Sequence, residues 1–232
     1  MKVEVSLSPA LYPYRTLIDH HATVAIDVLR ATTAVCAAFQ AGCREVVPLD
    51  TLEGLEPYRA QGYAVAAERG GKKLPGSDYG NSPTEYMSKD MGGIRLAYST
   101  TNGTVSILRA SDAELTLAGA FANIDALCER LLRENRDVVL LCSGWQNDFC
   151  LEDTLVAGAI IHRLGGVHGD AAAMSLAMWL QAKPDPYAYC QNATHVHRLQ
   201  AFGPQAQADI DFAFKMNTCP VVPVLKKGIL TL

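Results

Sequence analysis

Residues 23–39 place a strand, a polar turn and a helix in direct succession, and that order restricts the fold more than any other feature. Thr23 to Val28 is a short apolar run rich in β-branched residues, the pattern of a buried strand. Asp27 stands near its end, followed by Arg30, Thr32 and Thr33. An Ala-rich segment over roughly 32–41 then reads as a helix stopped by Gly42. A hydroxyl at a helix start caps free N–H groups. The same N–H groups and the helix dipole attract anions. One unit thus offers a carboxylate to a cation, a guanidinium to an anion and a helix start suited to phosphate. It does so at the carboxyl end of a strand, where α/β sheets bind ligands. Taken alone, an Asp cap beside a surface Arg explains the stretch equally well.

The unit recurs. Strand-like runs cover 2–7, 46–49, 63–68, 94–99, 114–118, 137–142 and 221–225. Helical stretches fall at 50–61, after Ser82, at 105–110, at 123–133, after Glu152, at 171–181 and near 192–200. Residues 124, 127, 128, 131 and 132 give amphipathic helix spacing. Residues 207–214 suit a helix end or a strand. Strands alternating with helices predict a single α/β domain over the 232 residues, a three-layer α/β/α sandwich around a largely parallel or mixed sheet. In a mostly parallel sheet the polar turns would gather along one edge.

Composition removes several function classes. Hydrophobic residues make up 49% and charged residues 19%, enough for a substantial core. A formal charge of −4 and the lack of a basic stripe argue against nucleic-acid binding. The opening residues alternate like a strand and not like a signal peptide, and no apolar run has bilayer-spanning length. A cytoplasmic protein without membrane partners is expected. Seven cysteines without a C-x-x-C pair read as buried thiols. His20, His21, His195 and His197 lack zinc-site spacing and read as surface or core histidines.

Four strand ends carry polar turns: Asp27 to Thr33, Glu68 and Arg69, Ser99 to Thr104, and Cys142 to Gly144. Each alone is a turn, a cap or packing. Together, Asp27, Glu68, and Glu152 or Asp153 make a set of hard oxygen donors suited to Mg²⁺ rather than zinc. Arg30 and the hydroxyl-rich helix starts suit a phosphate or sulfonate. The long Gly- and Pro-rich loop 69–85 holds a capped helix start at Asn81-Ser82-Pro83. Neither G-x-x-x-x-G-K-[ST] nor G-x-G-x-x-G occurs, which disfavours a nucleotide site.

Five blocks then stand in order across residues 23–160. They are Ile26 to Thr33, Glu68 to Lys73, Gly80 to Pro83, Ser99 to Thr104, and Cys142-Ser143-Gly144 followed by Leu151-Glu152-Asp153. This set resembles the 2-phosphosulfolactate phosphatase (ComB) family. The resemblance implies a three-layer α/β/α fold and a Mg²⁺-dependent hydrolase that converts 2-phospho-3-sulfolactate to sulfolactate and phosphate, a coenzyme M type of reaction. It implies Asp27, Glu68 and Asp153 around the metal, with Glu152 as a substitute. Arg30 would steady the phosphoryl group, helped by Thr101, Asn102, Gly103 and Thr104, with Thr32, Thr33 and Ser143 in the same site. Asn81 and Ser82 would close over the substrate, and Arg69, Lys72 or Lys73 would meet the sulfonate. Spacing leaves open whether Asp27 is a metal ligand or a nucleophile. Two alternatives stand beside this reading: a phosphatase for another small phosphorylated carboxylic acid, and a non-catalytic anion-binding protein of the same fold. The apolar run from Ala171 to Leu180 suits either the core or an interface in a homo-oligomer.

Overall fold

Every residue of the strand β2 (His21–Ile26) is buried in the computed structural model, which describes residues 1–146 and 148–232. A continuous apolar run does this when both faces of a parallel strand are covered. β2 lies between β7 (Leu115–Gly119) and β8 (Asp137–Cys142), parallel to both, with Ile26 level with Gly119 and Cys142. β1 (Val3–Ser6) extends this block beyond β8. A second parallel block holds β3 (Glu45–Pro48), β6 (Arg95–Ser99) and β4 (Ala64–Arg69). The two-residue β5 (Lys72–Lys73) folds back on β4. A hairpin of β9 (Val224–Lys226) and β10 (Ile229–Thr231) joins the blocks, antiparallel to β7 on one side and to β3 on the other.

Followed across that hairpin, β3, β6 and β4 run opposite to β2. On a flat sheet with strands ~4.8 Å apart, the ends of β2 and β6 would sit on opposite edges, roughly 20 Å or more apart. A Cβ added at Gly103, just after β6, would instead fall 2.6 Å from the Asp27 carboxylate. The sheet therefore coils, as strand twist accumulates over ten strands. The turns do meet, but the expected shared edge of a mostly parallel sheet is not the cause. The sheet is mixed, and its curvature brings the ends together.

The concave face wraps α1 (Ala31–Gln40), whose residues 31–39 are all buried. Four alanines among them let strands from both blocks approach, and Ala25, Ala118, Val46, Leu96 and Tyr98 share its core. α3 (Pro83–Met87) and α4 (Gly103–Arg109) pack beside it. On the other face of the first block lie α5 (Ile124–Glu134), α6 (Leu151–Leu164) and α7 (Asp170–Ala182). The short α8 (Pro186–Cys190), α9 (Thr194–Gln200) and α10 (Pro204–Ala213) complete that layer. α2 (Leu55–Ala60) covers the outer face of the second block. Helices on both faces make the three-layer α/β/α sandwich that the strand–helix alternation predicts.

Most element bounds agree with the sequence pattern to within a few residues. Leu132 is the exception on α5, half exposed while Ile124, Leu127, Cys128 and Leu131 are buried. Residues 207–214 belong to a helix, α10, and the closing strand is a hairpin of two. All seven cysteines are free and buried. Among the described residues no helix is long and apolar enough to cross a membrane.

Candidate active site

Asp27 leaves β2 and turns directly into α1. Its Oδ1 accepts the Ala31 N–H at 3.0 Å, and its main-chain oxygen accepts the Thr32 N–H. The carboxylate so caps the helix that sequence reading offered to a phosphate. Oδ2 faces Gly103 across the gap between the two blocks. Burial pushes the Asp27 carboxyl up to about 6, against the pull of the Ala31 N–H.

Glu68 reaches the same place from the second block. Its two oxygens accept the N–H groups of Thr101 and Gly71, each at 2.6 Å. Asp27, Glu68, Arg30, Asn81, Thr101 and Asn102 line one small cavity of about 20 Å³. Its remaining wall includes Trp145, His195 and Arg198, from the loop after β8 and from α9. A 510 Å³ cavity opens on the Arg30 and Asn81 side, with Lys72, Lys73 and Ser82 on its wall. A 340 Å³ cavity opens on the Trp145 and His195 side and includes Glu152.

The two guanidinium groups have different surroundings. Arg30 Nη1 pairs with Asp209 at 2.7 Å, both groups buried, and Nη2 donates to the Gly71 carbonyl. Asp209 also accepts from the hydroxyls of Ser82 and Thr84, which ties α10 to the start of α3. Arg198 lies 3.8 Å over the Trp145 ring, donates to the Gly70 carbonyl and donates to His195 Nε2 at 2.9 Å. An arginine can only donate, so His195 Nε2 accepts and its Nδ1 carries the proton. That N–H faces Glu152 Oε1 at 2.7 Å. The Cys150 thiol lies 3.6 Å from the same ring nitrogen, and burial raises its pKa. The donor atoms of Cys150, Glu152 and His195 lie within 4.8 Å of one another, but the tautomer makes them a hydrogen-bonded cluster.

Several residues singled out in the sequence serve the backbone instead. Asp153 accepts Val28 N–H at 2.8 Å and Gly144 N–H at 3.0 Å, fastening the turns after β2 and β8. Both its oxygens are so engaged, and burial raises its pKa well above the usual carboxylate range. It stands beside Asp27, whose charge adds to that rise, but behind the turn and not on the cavity wall that Asp27 and Glu68 share. Thr32 Oγ1 receives the Asp27 N–H and lies 2.7 Å from the Gly119 carbonyl, and Thr33 donates to the Val28 carbonyl. Thr104 and Thr100 exchange N–H to hydroxyl bonds. The Arg69 guanidinium is turned to the Glu68 carbonyl and the Ser99 hydroxyl. Ser143 donates its N–H to the Ile26 carbonyl, and its hydroxyl is buried without a partner among the described residues. Ser82 caps α3 and bonds Asp209. Lys73 donates to the Asp78 carbonyl, and Lys72 lies over Phe202.

Sequence reasoning missed Trp145, His195, Arg198 and Asp209. The available signal was spacing: His195 and Arg198 stand three apart on a helix and share one face.

The family model for 2-phosphosulpholactate phosphatase matches residues 7–228, so the similarity extends through the C-terminal third that supplies these residues. A protein of Synechococcus sp. (strain JA-3-3Ab), named as a probable 2-phosphosulfolactate phosphatase, is 36% identical over 219 residues, 90% of either chain. A Thermotoga petrophila protein of the same name is 32% identical over 216 residues, 93% of either chain. One from Parasynechococcus marenigrum is 38% identical over 193 residues, covering 78% of this chain and 80% of its own. With that coverage, the chain belongs to the 2-phosphosulfolactate phosphatase family of phosphoric monoester hydrolases.

Proposed function

We propose that this protein hydrolyses 2-phospho-3-sulfolactate to 3-sulfolactate and phosphate, and that Mg²⁺ is held at Asp27 and Glu68. One observation carries the reading. Two buried carboxylates from oppositely directed parts of the sheet face one small cavity, with two guanidinium groups on its wall.

The donor set fits a hard cation. Asp27, Glu68, Glu152, Asp153 and Asp209 are all buried, against the guanidinium groups of Arg30 and Arg198. Ionising so many buried carboxyls without a cation is costly, and burial already raises the pKa values of Asp27 and Asp153. Carboxylate oxygens suit Mg²⁺, and a cavity of about 20 Å³ has room for an ion or a water rather than a cofactor. Asp27 and Glu68 would hold the ion. Asp153, which lies off the cavity wall, would keep the Asp27 turn in place through the Val28 and Gly144 N–H groups. When bound, the metal neutralises phosphoryl charge and orients an attacking water.

The protein's own groups supply the rest. Glu68 is locked by its two N–H donors, so its carboxylate enters the reaction already oriented. Gly103 lets the start of α4 pack directly against Ala31 and the Asp27 carboxylate because it has no side chain. Arg30, fixed by Asp209, lies where charge develops on the phosphoryl oxygens. Trp145 and His195 separate this cavity from the larger one that also has Glu152 on its wall.

The direct test is phosphate release from 2-phosphosulfolactate by wild type and Asp27→Asn, with Mg²⁺ and with chelator. Release is expected only from wild type with Mg²⁺, and the variant should lose at least about 10³-fold in kcat. Release that persists in chelator would remove the metal from this reading. A phosphoaspartate trapped at Asp27 would replace attack by water with covalent catalysis.

A further inference from the structure

Arg30 and Arg198 line the same cavity, yet among the described residues only Arg30 has an ionic partner. Arg30 is neutralised by Asp209 at 2.7 Å. Among the described residues no carboxylate lies within ion-pairing distance of Arg198. Its hydrogen-bond partners are the Gly70 carbonyl and the neutral His195 ring. Its Nε is buried and has no hydrogen-bond partner among the described residues. Partial burial lowers the Arg198 pKa from its ordinary value.

The group is nevertheless held firmly. Trp145 fixes the plane of the guanidinium at 3.8 Å, a cation–π contact. His195 fixes its edge, and Glu152 fixes His195 by holding the opposite ring nitrogen. The same Trp145 stacks on the His195 ring, with centroids 5.5 Å apart. A half-buried cation so oriented, facing the cavity with no carboxylate paired to it among the described residues, is arranged for an anion that arrives with the ligand.

Resting on the phosphatase reading, we infer that Arg198 is the residue that recognises a second acidic group on the substrate, a sulfonate or carboxylate beside the phosphate ester. The phosphoryl group lies between Asp27, Arg30 and the start of α4, and the second acid meets Arg198. The chain thereby selects phosphate monoesters of small acids over simple alkyl or aryl phosphates. Glu152 and His195 are positioning residues for this guanidinium. Arg198, rather than Arg69, Lys72 or Lys73, carries the discrimination.

The test compares wild type, Arg198→Gln and Arg198→Lys as full chains with Mg²⁺ present, after melting curves have checked their folding. Calorimetry measures binding of 3-sulfolactate, which has the second acid and no phosphate. Wild type should bind it. Arg198→Gln should weaken binding by about 10- to 100-fold, the range for one charged hydrogen bond. Arg198→Lys should recover part of the loss. In turnover, Arg198→Gln should raise KM for 2-phosphosulfolactate by a similar factor with little change in kcat. KM for 4-nitrophenyl phosphate should stay unchanged.

An unchanged sulfolactate affinity in a folded Arg198→Gln protein would overturn the assignment, as would a wild type that binds none. An equal rise in KM for both esters would overturn it too, by placing Arg198 on the phosphoryl group. If wild type binds sulfolactate through Arg198 but releases no phosphate from any ester, the phosphatase reading fails while the anion site stands.

Discussion

Gly103 is the residue where two strand ends come closest. A Cβ there would overlap the Ala31 side chain and lie 2.6 Å from Asp27 Oδ2. Its φ needs no glycine, so space and not backbone freedom selects the residue. Gly103→Ala is therefore expected to cost about 1–3 kcal/mol through overpacking. It should also lower kcat at least about tenfold, by displacing the Asp27 carboxylate. Urea denaturation and phosphate release measure the two effects, and an unperturbed variant would show that the approach is looser than described. Single residues were unevenly legible in the sequence. Asp27 and Glu68 stand out as acids that end strands, and both reach the cavity. Thr32, Thr33 and Thr104 were equally visible, but their hydroxyls bond nearby main chain. A hydroxyl at a helix start satisfies either a ligand or its own backbone, and sequence alone does not separate the two. Arg198 needed the fold, because its neighbours Gly70 and Trp145 lie far away along the chain.

The elements that matter most to the site are the helices that present α9 to the sheet ends. α6 carries Glu152 and Asp153 in its first turn and packs closely against α7 further along. The closeness depends on Gly158, where an added Cβ would overlap the Ser175 carbonyl oxygen and lie 2.7 Å from the Trp179 Cβ. Both neighbours belong to one rigid helix, so neither yields easily. Gly158→Ala is expected to lower stability by about 1–3 kcal/mol. KM should not change, because Gly158 lies about 9 Å along the helix from Glu152. An unchanged urea midpoint would mean that α7 shifts freely, and a raised KM would mean that the shift reaches α9. At this scale the chain was largely readable. β8 runs from Asp137 to Cys142, the bounds its apolar run gives. The three-residue β9 and β10 were partly hidden, and β5 entirely, since strands this short show no period. The reversal of direction that they produce is a matter of tertiary pairing, which no local pattern records.

The whole molecule is built around a cluster of buried carboxyl groups, and its pH response should show this. Coiling brings Asp27 and Glu68 from opposed blocks to one cavity, while Asp153 fastens the turn behind them. Burial raises the Asp27 pKa from 3.8 to about 6, and that of Asp153 moves the same way. Between about pH 4 and 6 the folded state therefore keeps a proton that the unfolded chain has released. Stability from this source is full below about pH 4, falls as pH rises through 6 and is level above it. A shift of about two units corresponds to roughly 3 kcal/mol for Asp27. Glu85 works in the opposite sense, its pKa lowered, which would blur the profile of wild type alone. The difference in unfolding free energy between wild type and Asp27→Asn isolates the group, because the amide does not titrate. Measured by urea denaturation in chelator, that difference should move against wild type as pH rises from about 4 to 6. Saturating Mg²⁺ should restore wild type above pH 6, do little below pH 4 and leave Asp27→Asn nearly unaffected, since a cation stabilises the ionised carboxylate. A difference that stays flat across the window would show that Asp27 folds already ionised, stabilised by its neighbours without any metal.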